Sequence, residues 1–590
     1  MQQLSHDYYN RIREAVLNDS AMARMTDLLR KHTVLLGRPY SFHEHEYQID
    51  ICNSTHHNLV AIKPSQVGFT TFTYYSLLMM LAVTPEMVGI LALPTVHEAQ
   101  RMAKSRIDPI IHSSKYLKQR MSTGNDSASF KQIGTSQLFL VGTQKPLISI
   151  PCDLLVIDEL DFCVKENLIT AESRMSHSRF RDSNTGVRGF RRRWSTPTAT
   201  GIGVSALYEL SDQRKRLVKC KKCSHWFWPN FLEHCVVDGF NQSFRELTYF
   251  DVGHLEQAGK VDTARLLCEK CHHPLSPRDL GPAHREWVAA YPDRKTIEGW
   301  QVSPFDLPAH HTPASIMRQM GNYRGEVGHF YNFVLGFPHD DASNSVLDHQ
   351  VQENTRLVPV PPEHAGTVSG TIVGIDVGKT SWLIVGKVMG KEVHIIWIES
   401  IRLRGDAGEG LYDSVRQRLG QYGAVRVVMD AMPYTDVALK LQAESLEGTF
   451  YPCQYTLRDR KLPAQVVKES EQLLEAHRTK TLNRVAKRVN SGEVIFPRLE
   501  EMRVVRTHLQ GMKRVDRIDD AGESHSDWVK GESADDHYFH ALNYLLMAAA
   551  LYEDNFSGWS PLPSVTGARV GKNSAKQYTP EYGIYPGIGV

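Results

Sequence analysis

Four short apolar runs, "NLVAI" (58–62), "VGILAL" (88–93), "LFLVG" (138–142) and "CDLLVID" (152–158), and a fifth segment ending at "RRRWSTP", alternate with helix-like stretches up to about Thr200. Runs this short and this uniformly apolar suit strands covered on both faces, and strands separated by helices assemble as a parallel sheet with crossovers. The rhythm predicts an α/β fold that binds its ligand at the carboxyl ends of the strands.

At 590 residues the chain exceeds one ordinary core, so two or three domains are expected. Residues 1–40 read as a polar amphipathic helical region and 41–205 as the α/β core. Residues 206–300, with paired cysteines and many charges, read as an insertion, and 301–355 as the completion of the core. The Pro- and Gly-rich stretch 356–370 reads as a linker. A second domain, 371–553, opens with "GTIVGIDVGKTSWLIVGKV" and ends in the helix "DDHYFHALNYLLMAAALY" (535–552); 554–590 reads as a flexible tail. No N-terminal stretch has the pattern of a secretory signal, and none holds the roughly twenty apolar residues that spanning a bilayer needs, so a cytosol-like compartment without membrane is expected. A net charge of +2 makes no global case for a polyanionic partner. Local patches remain, with "FRDSNTGVRGFRRRW" (180–194) and "RKRLVKCKK" (214–222) as candidates against an ordinary solvated charged face.

"KPSQVGFTT" (63–71) stands between "NLVAI" and the next helix. In a standard phosphate-binding loop, GxxxxGK followed by Ser or Thr, backbone amides cradle the phosphates, the lysine reaches the terminal ones and the hydroxyl holds Mg2+. Aligned on Gly68 and Thr70, this chain has Lys63 at the first glycine and Phe69 at the lysine. The charge has moved to the start of the loop, from where it can reach back over the same phosphates. A strand-turn-helix junction without function is the alternative. The pair Asp158-Glu159 directly after "LLVI" weighs for a site, because one carboxylate can hold the Mg2+ shell while the next orients and deprotonates a water. Asp161 fits a turn or capping acid.

Cutting a phosphodiester with two metal ions needs several carboxylates from separate elements. Asp376 lies in the first strand of the second domain, where an unpaired carboxylate is expensive unless it meets a cation. Asp430 ends a later strand, and Asp536, with Asp535 beside it, begins the last helix, one turn before His540. Lys379, after "DVG", reads as a surface lysine, with contact to the scissile phosphate as the alternative. Cys220, Cys223, Cys268 and Cys271 form two CxxC pairs whose four thiolates suit one structural Zn2+. His225, His272 and His273 are nearby substitutes, and the other five cysteines read as buried thiols.

"KPSQVGFTT", "DELD", "STPT" (195–198) followed by "YELSDQRKRLVKCKKC", and "HFYNFVLGFP" (329–338) form an ordered set that resembles the large terminase subunit of tailed bacteriophages, lambda-type branch, over residues 40 to 550. The resemblance implies a P-loop NTPase domain, a zinc-ribbon-like insertion and an RNase H-like nuclease domain. It implies ATP and Mg2+ bound by Lys63, Gln66, Gly68, Thr70 and Asp158, adenine read by Gln48, catalysis by Glu159, and coupling to movement by Ser195 and Thr196. Arg101 and Arg106 are candidates to sense the γ-phosphate. Asp376, Asp430 and Asp536, with Asp535 left open, are implied ligands of Mg2+ or Mn2+. The implied partners are double-stranded concatemeric DNA, the small terminase subunit, the capsid portal protein and further copies of the chain in a ring, in the host cytoplasm and docked on the procapsid. A helicase-nuclease of repair or restriction, and a zinc-stabilised DNA-binding scaffold with inactive sites, are the competing functions.

Overall fold

The computed structural model describes residues 24–146, 150–323, 327–402, 407–456, 463–468, 473–518, 524–531 and 534–552. Most of the expected N-terminal helical region and the expected tail lie outside the described residues. The chain divides into two compact units, one of residues 1–358 with 482–540 and the other of 359–481 with 541–590.

In the first unit the apolar runs become β1 (Asn58–Ile62), β2 (Val88–Leu93), β3 (Ser136–Gly142), β4 (Leu154–Asp158) and β5 (Phe190–Ser195), joined by β6 (Arg214–Lys219) and β7 (Glu298–Gln301). These strands run parallel in the order β6-β7-β1-β5-β4-β2-β3, and shorter antiparallel strands extend the β3 edge. Every residue of β1 and β4 is buried, since an apolar cluster covers each face of the sheet. That double cover is why these runs show no polar alternation. The helix α1 (Phe69–Val83) follows β1 and is apolar on most sides, as a helix sunk into a core must be. Because β5 lies between β1 and β4, with Ile62 opposite Ser195 and Trp194 opposite Asp158, the three strands end side by side.

This topology overturns the basic patch. Segment 190–195 is an interior strand, so Arg191 and Arg193 pair with Glu172 at 3.6 and 2.9 Å. Arg214 pairs with Asp212 and Glu298, and the buried Arg216 faces Asp306 at 3.9 Å. A guanidinium in a covered sheet has to meet a carboxylate or leave the interior. Lys219, Lys221 and Lys222 stay exposed at the first cysteine pair. Late residues also belong to this unit. The hairpin Met512–Ile518 with Ser524–Lys530 packs Val515 and Val529 on Ala199 and Ile202.

In the second unit the strands are β8 (Thr371–Asp376), β9 (Thr380–Met389), β10 (Glu392–Arg402), β11 (Ala424–Asp430), β12 (Phe450–Thr456), β13 (Gln465–Lys468) and β14 (Leu473–His477). Their order is β10-β9-β8-β11-β12-β14-β13. β9 runs antiparallel to both of its neighbours, β10 and β8, while β8, β11, β12 and β14 are parallel. Residues 541–552, the greater part of α2 (His537–Tyr552), lie against β8. A Cβ on Gly374 would collide with the backbone at Ala541 and Leu545, so only glycine admits that approach. Within 356–370 a 3-10 turn, Pro362–Thr367, buries Ala365 in this unit's core. Among the described residues no helix is long and apolar enough to cross a membrane.

Candidate functional site

The loop between β1 and α1 turns tightly because Gln66 and Gly68 take φ of 58° and 76°. It delivers the unpaired first amides of a fifteen-residue helix to its own mouth, an arrangement that attracts anions. Thr70 is half-buried in the first turn of α1. The loop is braced from two sides. Tyr47 donates its hydroxyl to Val67 O at 2.7 Å, and Gln48 donates its amide to Gly68 O at 3.3 Å. From the other side Ser65 N donates to Phe333 O at 2.7 Å. Gly336, at φ 69°, comes so close that a Cβ would stand 2.9 Å from Pro64 N. The sequence pointed to "HFYNFVLGFP" through resemblance alone; its part here is to hold the loop. The legible signal was the glycine after the aromatic run.

Lys63, whose side chain is 5% exposed, places Nζ 2.8 Å from Glu159 Oε1. The other carboxylate oxygen, Oε2, accepts from Ser195 Oγ at 3.3 Å and Thr196 N at 3.4 Å. Lys63 N in turn donates to Ser195 O at 3.1 Å. Loop, acidic strand end and the Ser195-Thr196 strand end thus meet at one carboxylate. Glu159 turns out of β4 at φ 55°, an uncommon conformation for a non-glycine residue.

Asp158 points inward, accepting from Tyr74 OH at 2.9 Å and Trp194 Nε1 at 2.7 Å. Burial, with the Glu159 charge beside it, pushes its carboxyl up to about 6. The Phe69 ring packs edge-on to Phe72 at 4.7 Å and against Trp194 at 5.5 Å. The residue at the customary lysine position is therefore core, and it backs the indole that holds Asp158. Tyr74 and Trp194 escaped the sequence reading, since aromatic residues in apolar runs read as packing. Arg101 is exposed and pairs with Glu98 at 3.6 Å. Arg106, in the π-helical turn Ala103–Ile107, acts electrostatically on Tyr74.

The two CxxC pairs have the same local build. In each, the first cysteine N–H donates to a carbonyl five residues on (Cys220 to His225, Cys268 to His273), and a positive φ follows the second cysteine, at Ser224 and His272. Amides of Lys222 and Cys223 reach Cys220 Sγ, and those of Lys270 and Cys271 reach Cys268 Sγ. All four Sγ atoms lie within 4.8 Å, with Cys220 to Cys271 and Cys223 to Cys268 both at 3.7 Å. A tetrahedron of thiolates at ~2.3 Å from a zinc ion has edges of about 3.8 Å, so the donor set fits Zn2+. The three nearby histidines are not among the four converging groups. His225 Nε2 meets Glu269 at 3.1 Å. Of the remaining cysteines, Cys152, Cys163, Cys235 and Cys453 are buried as expected, whereas Cys52 is half-buried.

In the second unit Asp376 and Asp430 end adjacent parallel strands, whose preceding residues Ile375 and Met429 are paired. Burial first, then Tyr455, Asp430, Cys453 and Asp376, hold the buried Tyr544 hydroxyl well above its ordinary range. Asp430 also accepts from Met432 N at 3.0 Å. Lys379 is exposed in the turn between β8 and β9. Asp535 and Asp536 belong to the first unit. Burial opposes the charge of Asp536, but His540, with Nε2 at 3.5 Å, and nearby Lys530 and His537 hold its carboxyl down to about 2.

The family model of the phage terminase large subunit gpA ATPase domain matches residues 40–287. Residues 40–287 are a terminase ATPase domain. No curated protein matches the chain. Among solved structures the chain is similar to the large terminase of bacteriophage HK97, at 11% identity over 89% of this chain and 98% of that one, with a TM-score of 0.44. It is also similar to the Thermus phage P74-26 large terminase ATPase domain (14% identity, 53% and 98% coverage, TM-score 0.30). A third likeness is to the large terminase nuclease of thermophilic phage G20c with bound zinc (16% identity, 33% and 93% coverage, TM-score 0.19). Likenesses this distant assign no residue a role.

Proposed function

We propose that this terminase chain moves viral DNA and cuts it: ATP hydrolysis in the first unit drives double-stranded DNA into a procapsid, and a metal-dependent endonuclease cuts the concatemeric genome. The observation that carries the reading is the 2.8 Å contact between Lys63 and Glu159. The cation of a phosphate-binding loop, moved to the loop's first position, reaches the carboxylate that would activate water. Triphosphate entering the loop competes with Glu159 for the ammonium. Glu159 is thereby released to orient and deprotonate a water in line with the γ-phosphate. Ser195 and Thr196, bonded to the other oxygen of Glu159, feel that release, which suits them to couple hydrolysis to movement. Gln66 and Gly68 shape the cradle, Gln48 reads adenine beside the loop it braces, and Thr70 and Asp158 would hold Mg2+, which would supply positive charge against the phosphates.

The strand order of the second unit supports an RNase H-like nuclease, placed by the sequence at 371–553. Asp376 and Asp430 would hold Mg2+ or Mn2+ there, and Asp536, or Asp535 beside it, is the third carboxylate of the sequence pattern. Cys220, Cys223, Cys268 and Cys271 hold a structural Zn2+. The small terminase subunit, the portal protein and other copies of the chain in a ring are the proposed partners, in the host cytoplasm.

With DNA present, Glu159→Gln should lower ATP turnover about a hundredfold or more. Asp376→Asn should abolish cleavage and spare ATPase. Loss of both activities in Asp376→Asn, with folding intact, would overturn the two-site assignment, and strand displacement by the wild type would favour a helicase.

A further inference from the structure

The acidic motif after β4 has a further member, Asp161, that an ordinary turn does not explain. It is buried, in the 3-10 turn Leu160–Phe162. Its Oδ2 accepts from Thr198 N at 2.9 Å and Thr198 Oγ1 at 3.0 Å. Its Oδ1 accepts from Val204 N at 2.7 Å, and its own N donates to Ser195 Oγ at 3.3 Å. The chain at 203 comes so near that a Cβ on Gly203, at φ 51°, would collide with the Asp161 carboxylate. The same Ser195 hydroxyl bonds Glu159, and Thr196 N does so too. Glu159 and Asp161 therefore grip one four-residue segment, Ser195–Thr198, at its two ends.

We propose that Asp161 is a positioning residue of the ATPase reaction, clamping Ser195–Thr198 so that the Ser195 hydroxyl and Thr196 amide stay aimed at Glu159. This inference rests on the ATPase reading above. Capping of the helix Gly203–Leu210 accounts for the Val204 contact alone. It leaves the two bonds to Thr198, and the one to Ser195, without a purpose. Both carboxylate oxygens receive N–H or O–H donors, so an amide of the same shape must turn an NH2 toward one set of them and push it away. Displacing a reacting constellation slightly affects the chemical step more than ligand affinity.

The test measures steady-state ATP hydrolysis by the full chain with duplex DNA for wild type, Glu159→Gln, Asp161→Asn and Thr198→Val. Asp161→Asn should lower kcat by about tenfold or more with KM for ATP changed by less than about threefold, and Thr198→Val should move kcat in the same direction by a smaller factor. If wild type is no faster than Glu159→Gln, the ATPase reading itself fails. If wild type turns over and Asp161→Asn keeps its kcat, or raises KM at unchanged kcat, the clamp is wrong while the ATPase reading stands. Should Asp161→Asn not fold, Thr198→Val, which removes one hydroxyl from a half-buried residue, decides the matter: an unchanged kcat overturns the proposal.

Discussion

The cysteine cluster and the loop that begins at Lys63 are both preformed, by opposite means. Each cysteine pair is shaped by amides and carbonyls within five residues of it, and two such copies then face each other at 3.7 Å. The candidate nucleotide site is assembled from a distance: Tyr47, Gln48, Phe333 and Gly336 brace the loop, and Glu159, Ser195 and Thr196 come from two other strands. A site built locally should fail locally, whereas a site built from the whole sheet should respond to substitutions far along the chain.

The largest expected effect sharpens that contrast. Stripping metal from the cysteines, by chelation or Cys268→Ser, should open residues 206–300 to limited proteolysis, since binding free energies of about 10 kcal/mol or more hold such sites folded. ATP turnover should fall by less than about threefold; its complete loss would show that the two sites are not separable. Next, Lys63→Met should weaken nucleotide binding by about tenfold to a hundredfold, measured by titration with a fluorescent analogue, because it removes a nearly buried ammonium from the phosphate cradle. Phe69→Lys restores the standard loop pattern, yet it should lower the melting temperature without raising turnover. The substitution removes a core ring worth about 3 kcal/mol or more and buries a charge against Trp194. A gain in turnover would mean that the loop lacks the cation it needs.

The smallest effect concerns pH. Burial raises the Asp161 carboxyl from 3.8 to about 7. Between those values the folded chain keeps a proton that the unfolded chain has lost. The contribution is thus fully present below about pH 4 and is lost as pH rises through 7. Denaturant titrations at pH 5 and 8 should show this fall in the wild type and a shallower one in Asp161→Asn, with Asp158 supplying the remaining slope.

What the sequence determined by itself was whatever depends on near neighbours. The five apolar runs became strands because uniform apolarity over so few residues suits a strand covered on both faces. Within each pair the cysteines come together because CxxC spacing closes a knuckle through its own amides. Asp158-Glu159 ends a buried strand because two charges cannot continue one. The tertiary structure decided the rest. "FRRRW" reads as a surface patch until its strand is placed in mid-sheet, where Glu172 answers Arg191 and Arg193. Phe69 reads as a missing lysine until Trp194, more than a hundred residues on, lies against it. The Phe333 carbonyl and the Asp161 clamp carry no periodicity at all. A hydrogen bond between residues so distant in the chain exists only once the sheet order has brought their strands together, and that order is set by how all the apolar faces are covered at once.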